Sequence, residues 1–153
     1  MHFEAATAND LPRLTELLSE PGDPTSAAST LERGLDYALG HPECGVVLVE
    51  RHEGRVIALA GLFFTVSTAE GGRAILLKNF VVDPAFRSQG CGTRLLRGAL
   101  DYARQHGFLR ITLWAETLDE PARRFFRKHG FSDSQMIPLR HPMPASSAAP
   151  TLV

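Results

Sequence analysis

The sequence predicts an α/β (α+β) domain built on a mixed, mostly antiparallel sheet. Three observations carry that prediction. The apolar runs "CGVVLVER", "RVIALAGLFFTVS" and "RAILLKNFVVD" follow one another with only turn signals between them, the pattern of an antiparallel meander. A strand-like run, a helical stretch and a further run come next, which asks for at least one parallel pair. The 153 residues, 44% hydrophobic and 22% charged, suit one domain that buries its own core.

The elements can be justified in chain order. "HFEAAT" alternates weakly and reads as a short first strand. "NDLPRLTELLSE" opens on polar capping residues and repeats Leu11, Leu14, Leu17 and Leu18 on one helical face, with Pro12 tolerated in the first turn. "PGDPTS" breaks the chain. A second helix follows, with Ala27, Ala28, Leu31, Leu35, Ala38 and Leu39 on its inner face, and His41-Pro42 ends it. His52, Glu53 and Gly54 mark a hairpin between the first two runs of the meander, and "TAEGG" marks the next turn.

The clearest helix is expected from Thr93 to His106, with Leu95, Leu96, Ala99, Leu100 and Ala103 on its buried stripe and Gly107 as its stop. "LRITLWAE" reads as a buried strand. Asp119 or Glu120 caps a last helix with Pro121 near its first position, Ala122, Phe125 and Phe126 facing inward, and Gly130 at its end. "FSDSQMIPLR" is expected as a final strand. The domain therefore runs over residues 1–140. The Pro/Ser/Ala-rich segment 141–153 is a tail, either flexible or docked on a neighbour.

Composition narrows the function. A formal net charge of -1 gives no general affinity for polyanions. No stretch approaches a membrane span, and "MHFEAATAND" lacks the regions of a signal peptide, so a cytoplasmic protein is expected. Cys44 and Cys91 are far apart and are expected to be reduced and structural. His2, His41, His52, His106, His129 and His141 form no ligand-spaced pair, so no metal is expected.

The segment with chemical content is "RSQGCG", Arg87 to Gly92, between the third run of the meander and the clearest helix. A helix N-terminus presents unpaired N–H groups and partial positive charge. Gly90 and Gly92 let a ligand approach the backbone, Thr93 adds a hydroxyl and Arg87 a full charge. Together they form a candidate phosphate or pyrophosphate cradle. Neither standard nucleotide motif fits. There is no Gly-Lys-Ser/Thr run, and Leu95 stands where the dinucleotide fingerprint needs its third glycine. An isolated G-x-G is otherwise a tight turn without a ligand.

The flanking residues decide between these readings. "VVDPAFRSQGCGTRLL" and "GFLRITLWAETLDEPARRFFRKHGF" closely resemble the GCN5-related N-acetyltransferase (GNAT) family. The family's Q/R-x-x-G-x-G/A motif is matched by Arg87, Gly90 and Gly92, its V-x-P by Val82 and Pro84, and its later A-x-x-F-Y-x-x-x-G-F by Ala122, Phe125, Gly130 and Phe131. The motifs cover residues 78–131; the N-terminal half agrees in layout.

The resemblance implies a GNAT-like fold, with helices on both sheet faces and a fourth strand splayed from the fifth at a bulge. It implies acetyl-CoA, or a related acyl-CoA, as donor, its pyrophosphate on the amides of Ser88, Gln89, Gly90, Cys91, Gly92 and Thr93. Pantetheine would lie along Phe80, Val81 and Val82. The Phe80 N–H would polarise the thioester carbonyl, and a primary amine would attack directly in a ternary complex. Asp119, Ala122, Phe125 and Phe126 match positions that wall or contact the donor. Many members of the family dimerise, so a homodimer is a possible assembly, and neither nucleic acid nor membrane is an expected partner.

The chain departs from the family pattern at its catalytic positions. The usual tyrosine is Phe126, which has no proton to give a leaving thiolate. The usual carboxylate of the fourth strand is absent; Lys78 stands near its place, a base only if strongly desolvated. Glu116, at the end of "LWAE", is the candidate carboxylate for activating an amine through water, against a plain solvated strand end. Asp119 stands for the family's asparagine and caps a helix or contacts pantetheine. Arg123, Arg124, Arg127 and Lys128 form a solvated basic face or meet the 3′-phosphate. Cys91 reads as a small apolar filler, and Trp114 as core or as a wall of the acceptor pocket. Without the tyrosine and the carboxylate, a second reading stands: an acyl-CoA-binding sensor with little or no transferase activity. A nucleotide-binding protein is a third, weaker reading.

Overall fold

A computed structural model describes residues 3–19, 27–115 and 117–144. The elements are β1 (Phe3–Ala5), a 3-10 turn (Ala8–Asp10), α1 (Leu11–Leu18), α2 (Ala28–Gly40), β2 (Gly45–His52), β3 (Arg55–Ser67), β4 (Gly72–Val82), a second 3-10 turn (Pro84–Phe86), α3 (Cys91–Gln105), β5 (Ile111–Leu113) and α4 (Glu120–Lys128). They fall into two compact units, Met1–Glu116 and Thr117–Val153.

In the first unit the five strands form one sheet in the order β1-β2-β3-β4-β5. The first four pair antiparallel, and β5 joins β4 in parallel. The expected α/β class with a mixed, mostly antiparallel sheet is therefore present. At the β2–β3 hairpin Glu53 (φ 49°) and Gly54 (φ 79°) are both left-handed, the tight turn whose twist suits a hairpin.

Successive side chains of a strand face opposite sides of the sheet. On one face Val47, Val49 and Leu59 pack with Leu14 and Leu17 of α1 and Leu35 of α2. On the other face Glu50 reaches α3, whose Leu95, Leu96 and Ala99 are fully buried. Helices thus cover both faces. Each fully buried leucine contributes about 1.5–3 kcal/mol of hydrophobic stabilisation. The α1 start departs from a simple cap. The Asp10 side chain accepts no bond from α1 and instead takes the Thr7 N–H at 2.9 Å and the Arg51 guanidinium on both oxygens, at 2.9 and 2.8 Å. It ties the start of α1 to β2, and Arg51 also pairs with Glu4 of β1.

Three sequence expectations are corrected. The helix after "RSQGCG" begins at Cys91 rather than Thr93, because Gly90, at φ 77°, makes the left-handed turn that starts it. Gly92 therefore lies inside the first helical turn. The strand expected over "LRITLWAE" is shorter, Ile111–Leu113. The segment "FSDSQMIPLR" forms no strand, and its Met136, Ile137 and Leu139 are exposed. The pattern misled because a strand exists only when an edge pairs with it. In the second unit, α4 is capped as expected: the Asp119 carboxylate accepts the Ala122 N–H at 2.9 Å. Pro121 sits in the first turn.

Candidate functional site

The site begins where β4 and β5 part. Their pairing covers Ile75–Leu77 against Ile111–Leu113, and the Trp114 N–H still reaches the Leu77 carbonyl at 3.0 Å. Beyond that point β4 continues to Val82 along β3 alone. The parting coincides with a bulge: the β3–β4 register slips between Ala60 and Gly61, which face Phe80 and Lys78. The extra residue, Asn79, is left-handed at φ 56°. Asparagine tolerates that conformation better than most non-glycine residues. Gly61 sits opposite because a Cβ there would come within 3.0 Å of the Lys78 carbonyl.

The bulge is the splay that the family resemblance implied. The Asp83 N–H donates to Ile57 at 2.8 Å, toward β3. Strand alternation then turns the N–H groups of Phe80 and Val82 to the other edge, the side where β5 has left. Phe80, Val81 and Val82 are half-buried along this opening. Trp114 is exposed at the end of β5, and the Lys78 ammonium lies 6.0 Å from the Phe63 ring centroid.

Past Val82 the chain turns through Pro84–Phe86 into the loop. The Asp83 carboxylate accepts the Ala85 N–H at 2.9 Å and pairs with Arg13 of α1. Those two contacts hold its carboxyl below the usual carboxylate range. Gln89 donates to the Ala85 carbonyl at 3.1 Å, and Arg87 to the Val82 carbonyl at 3.1 Å. Ser88 and Gly90 are both left-handed, at φ 61° and 77°. Such turns make successive amides converge into an anion-binding concavity. The first-turn amides of α3 have no intrahelical partner, and Ser88, Gln89 and Gly90 are exposed. The loop thus has the donor chemistry for a diphosphate.

Cys91 is not an apolar filler. Only 2% exposed, it donates its thiol to Glu50 Oε2 at 3.0 Å. Burial first, then the Glu50 carboxylate, push the thiol up to about 12, which disfavours the thiolate. Sequence reasoning missed Glu50 and Arg94. Glu50 is 0% exposed, and its Oε1 accepts Arg94 Nε at 2.9 Å. The one signal was a carboxylate closing the apolar run "VVLVE".

Among the other expected site residues, Glu116 lies outside the described residues. In the second unit Asp119 caps α4, and the Phe126 ring meets Phe125 and Phe131 edge-on. Ala122 is half-buried on the same helix. Arg123, Arg124, Arg127 and Lys128 are exposed, with Arg127 3.4 Å from Asp133. Among the described residues no group of three or more His, Cys, Asp or Glu side chains is placed to hold a metal ion. Nor is any helix among them long and apolar enough to cross a membrane.

A strand splayed at a bulge, beside a glycine turn into a helix N-terminus, defines a class of fold, and comparison with known proteins agrees. The model of the acetyltransferase (GNAT) family matches residues 11–131. An uncharacterized N-acetyltransferase of Bacillus subtilis (strain 168), YhfO, is 29% identical over 136 residues, covering 87% of this chain and 91% of its own. Solved structures share the fold. A predicted acetyltransferase from Clostridium acetobutylicum, crystallised with acetyl-CoA, superposes with a TM-score of 0.72 at 22% identity, covering 91% of this chain and 95% of that one. A possible acetyltransferase from Clostridium difficile 630 reaches 0.83 at 14% identity, covering 93% and 97%. The chain belongs to the acetyltransferase (GNAT) family.

Proposed function

We propose that the protein is an N-acetyltransferase that moves the acetyl group of acetyl-CoA to a primary amine by direct attack in a ternary complex. The observation that carries this reading is the opening of β4 at the Asn79 bulge, directly upstream of the Arg87–Thr93 loop. One continuous segment offers strand-edge amides for pantetheine and loop amides for a diphosphate. Acetyl-CoA supplies an acyl group activated as a thioester, with a thiol as leaving group.

In this reading the Ser88–Thr93 amides hold the diphosphate, and the Phe80 N–H is aimed at the oxygen that gains charge as the amine attacks. One such donor lowers the barrier by about 3 kcal/mol. The amine nitrogen bonds to the acyl carbon, the carbon–sulfur bond breaks, and sulfur leaves with the electron pair. Phe126 offers no proton, so water protonates the thiolate. Glu116 takes the proton shed by the amine, directly or through water. Val81 and Val82 flank the pantetheine arm. Asp119, Ala122, Phe125 and Phe126 match the family's donor-contacting positions, and the setting is cytoplasmic. A second copy of the chain covers the exposed Met136, Ile137, Leu139 and Met143.

Thiol release from acetyl-CoA across a broad amine panel tests the reading. Release that depends on a particular amine supports it. Tight CoA binding with no release on any amine supports the sensor alternative, which the missing tyrosine favours.

A further inference from the structure

We propose that Glu50 is a positioning residue for the diphosphate loop, setting the direction of the Gly90 N–H through Arg94 and Cys91. The inference rests on the acyl-CoA reading above. A carboxylate fully removed from water costs several kcal/mol unless both oxygens are engaged. At Glu50 both are, by Arg94 Nε at 2.9 Å and by the Cys91 thiol at 3.0 Å. Both partners stand in the first turn of α3, 44 and 41 residues further along the chain. Arg94 then extends back to the loop, donating from Nη1 to the Gln89 carbonyl at 3.1 Å.

That last bond gives the network its consequence. A trans peptide is planar, so its C=O and N–H point in opposite directions. Drawing the Gln89 carbonyl onto Arg94 turns the Gly90 N–H the other way, out to where an anion would sit. The loop needs this support because Ser88, which is not a glycine, holds a left-handed conformation at φ 61°. Such conformations persist only when the surroundings over-determine them. Arg94 also neutralises the carboxylate beneath an anion site.

Two accounts of Glu50 give opposite signs. If its charge merely opposes the ligand, neutralising it tightens CoA binding. If it positions the loop, neutralising it weakens binding. Calorimetric titration with CoA and with pantetheine, which lacks the diphosphate, separates them. Glu50→Gln is expected to raise the CoA Kd about tenfold, with pantetheine affinity unchanged. Arg94→Lys keeps the cation but loses the fork that spans Glu50 and Gln89. It is expected to raise the CoA Kd similarly, and it stands in should Glu50→Gln not fold. The double variant is expected to be no weaker than either single variant. Unchanged or tighter CoA binding in both single variants overturns the proposal, as does a parallel loss of pantetheine affinity. A wild-type protein that binds no CoA overturns the donor reading itself.

Discussion

Gly90 and Cys91 stand side by side in the loop and are constrained for different reasons. Gly90 is required by its backbone: at φ 77° a side chain is strained, and a Cβ there would also stand 3.3 Å from Arg94 Nη1. Gly90→Ala is expected to destabilise the fold by about 1–2 kcal/mol in denaturant titration and to weaken CoA binding. Cys91 is required as a donor. Its thiol, pushed up to about 12 by burial and the Glu50 carboxylate, stays protonated and able to donate near neutral pH. Iodoacetamide is therefore expected to label the half-buried Cys44 in the native protein and to leave Cys91 unmodified until unfolding. Mass spectrometry of the labelled chain checks this, and rapid native labelling of Cys91 would contradict it.

At the scale of elements, α1 is held to the sheet by two acids. Asp10 is paired with Arg51, and Asp83 is bonded by the Ala85 N–H and paired with Arg13. Both carboxyls lie below the ordinary range, Asp10 chiefly through the hydrogen bonds from Arg51. A depressed folded-state value means stability that is present above the unfolded value of about 3.9. It is lost as pH falls through the lower folded values. Urea unfolding between pH 2 and 7 is expected to show that loss below about pH 4. Asp10→Asn should be less stable near neutrality and flatter through the acid range. A slope identical to wild type would remove Asp10 from the account.

Much at this scale was legible in the sequence. The β2–β3–β4 meander announces itself through apolar runs broken by turn residues, and α1 through its leucine spacing, because both patterns are local. The absence of a final strand was not legible. "FSDSQMIPLR" has strand-like composition, yet pairing depends on a neighbouring edge, which no local pattern reports. The length of β5 failed likewise, since the strand stops where β4 bends away at Asn79.

At the scale of the whole molecule, the segment after α4 presents large apolar side chains to solvent. Met136, Ile137, Leu139 and Met143 are exposed, Leu139 by 95%. A second copy of the chain is the proposed cover. Size-exclusion with light scattering is expected to show a dimer, and Ile137→Asp with Leu139→Asp to shift it to monomer with little change in Tm. A wild-type monomer at about 50 μM, a Kd range where stable dimers persist, would refute the assembly.

The sequence by itself determined the turn that starts α3 and the family. Gly90, the helix that follows it and the spaced motifs through Phe131 are properties of contiguous residues, and backbone conformation is governed at short range. The tertiary structure alone decided what supports that loop. Glu50 meets Cys91 and Arg94 across 41 and 44 residues, and only the stacking of α3 on β2 brings a buried carboxylate beneath the amides. A charge in an apolar run reads as a strand end until folding shows both of its oxygens engaged.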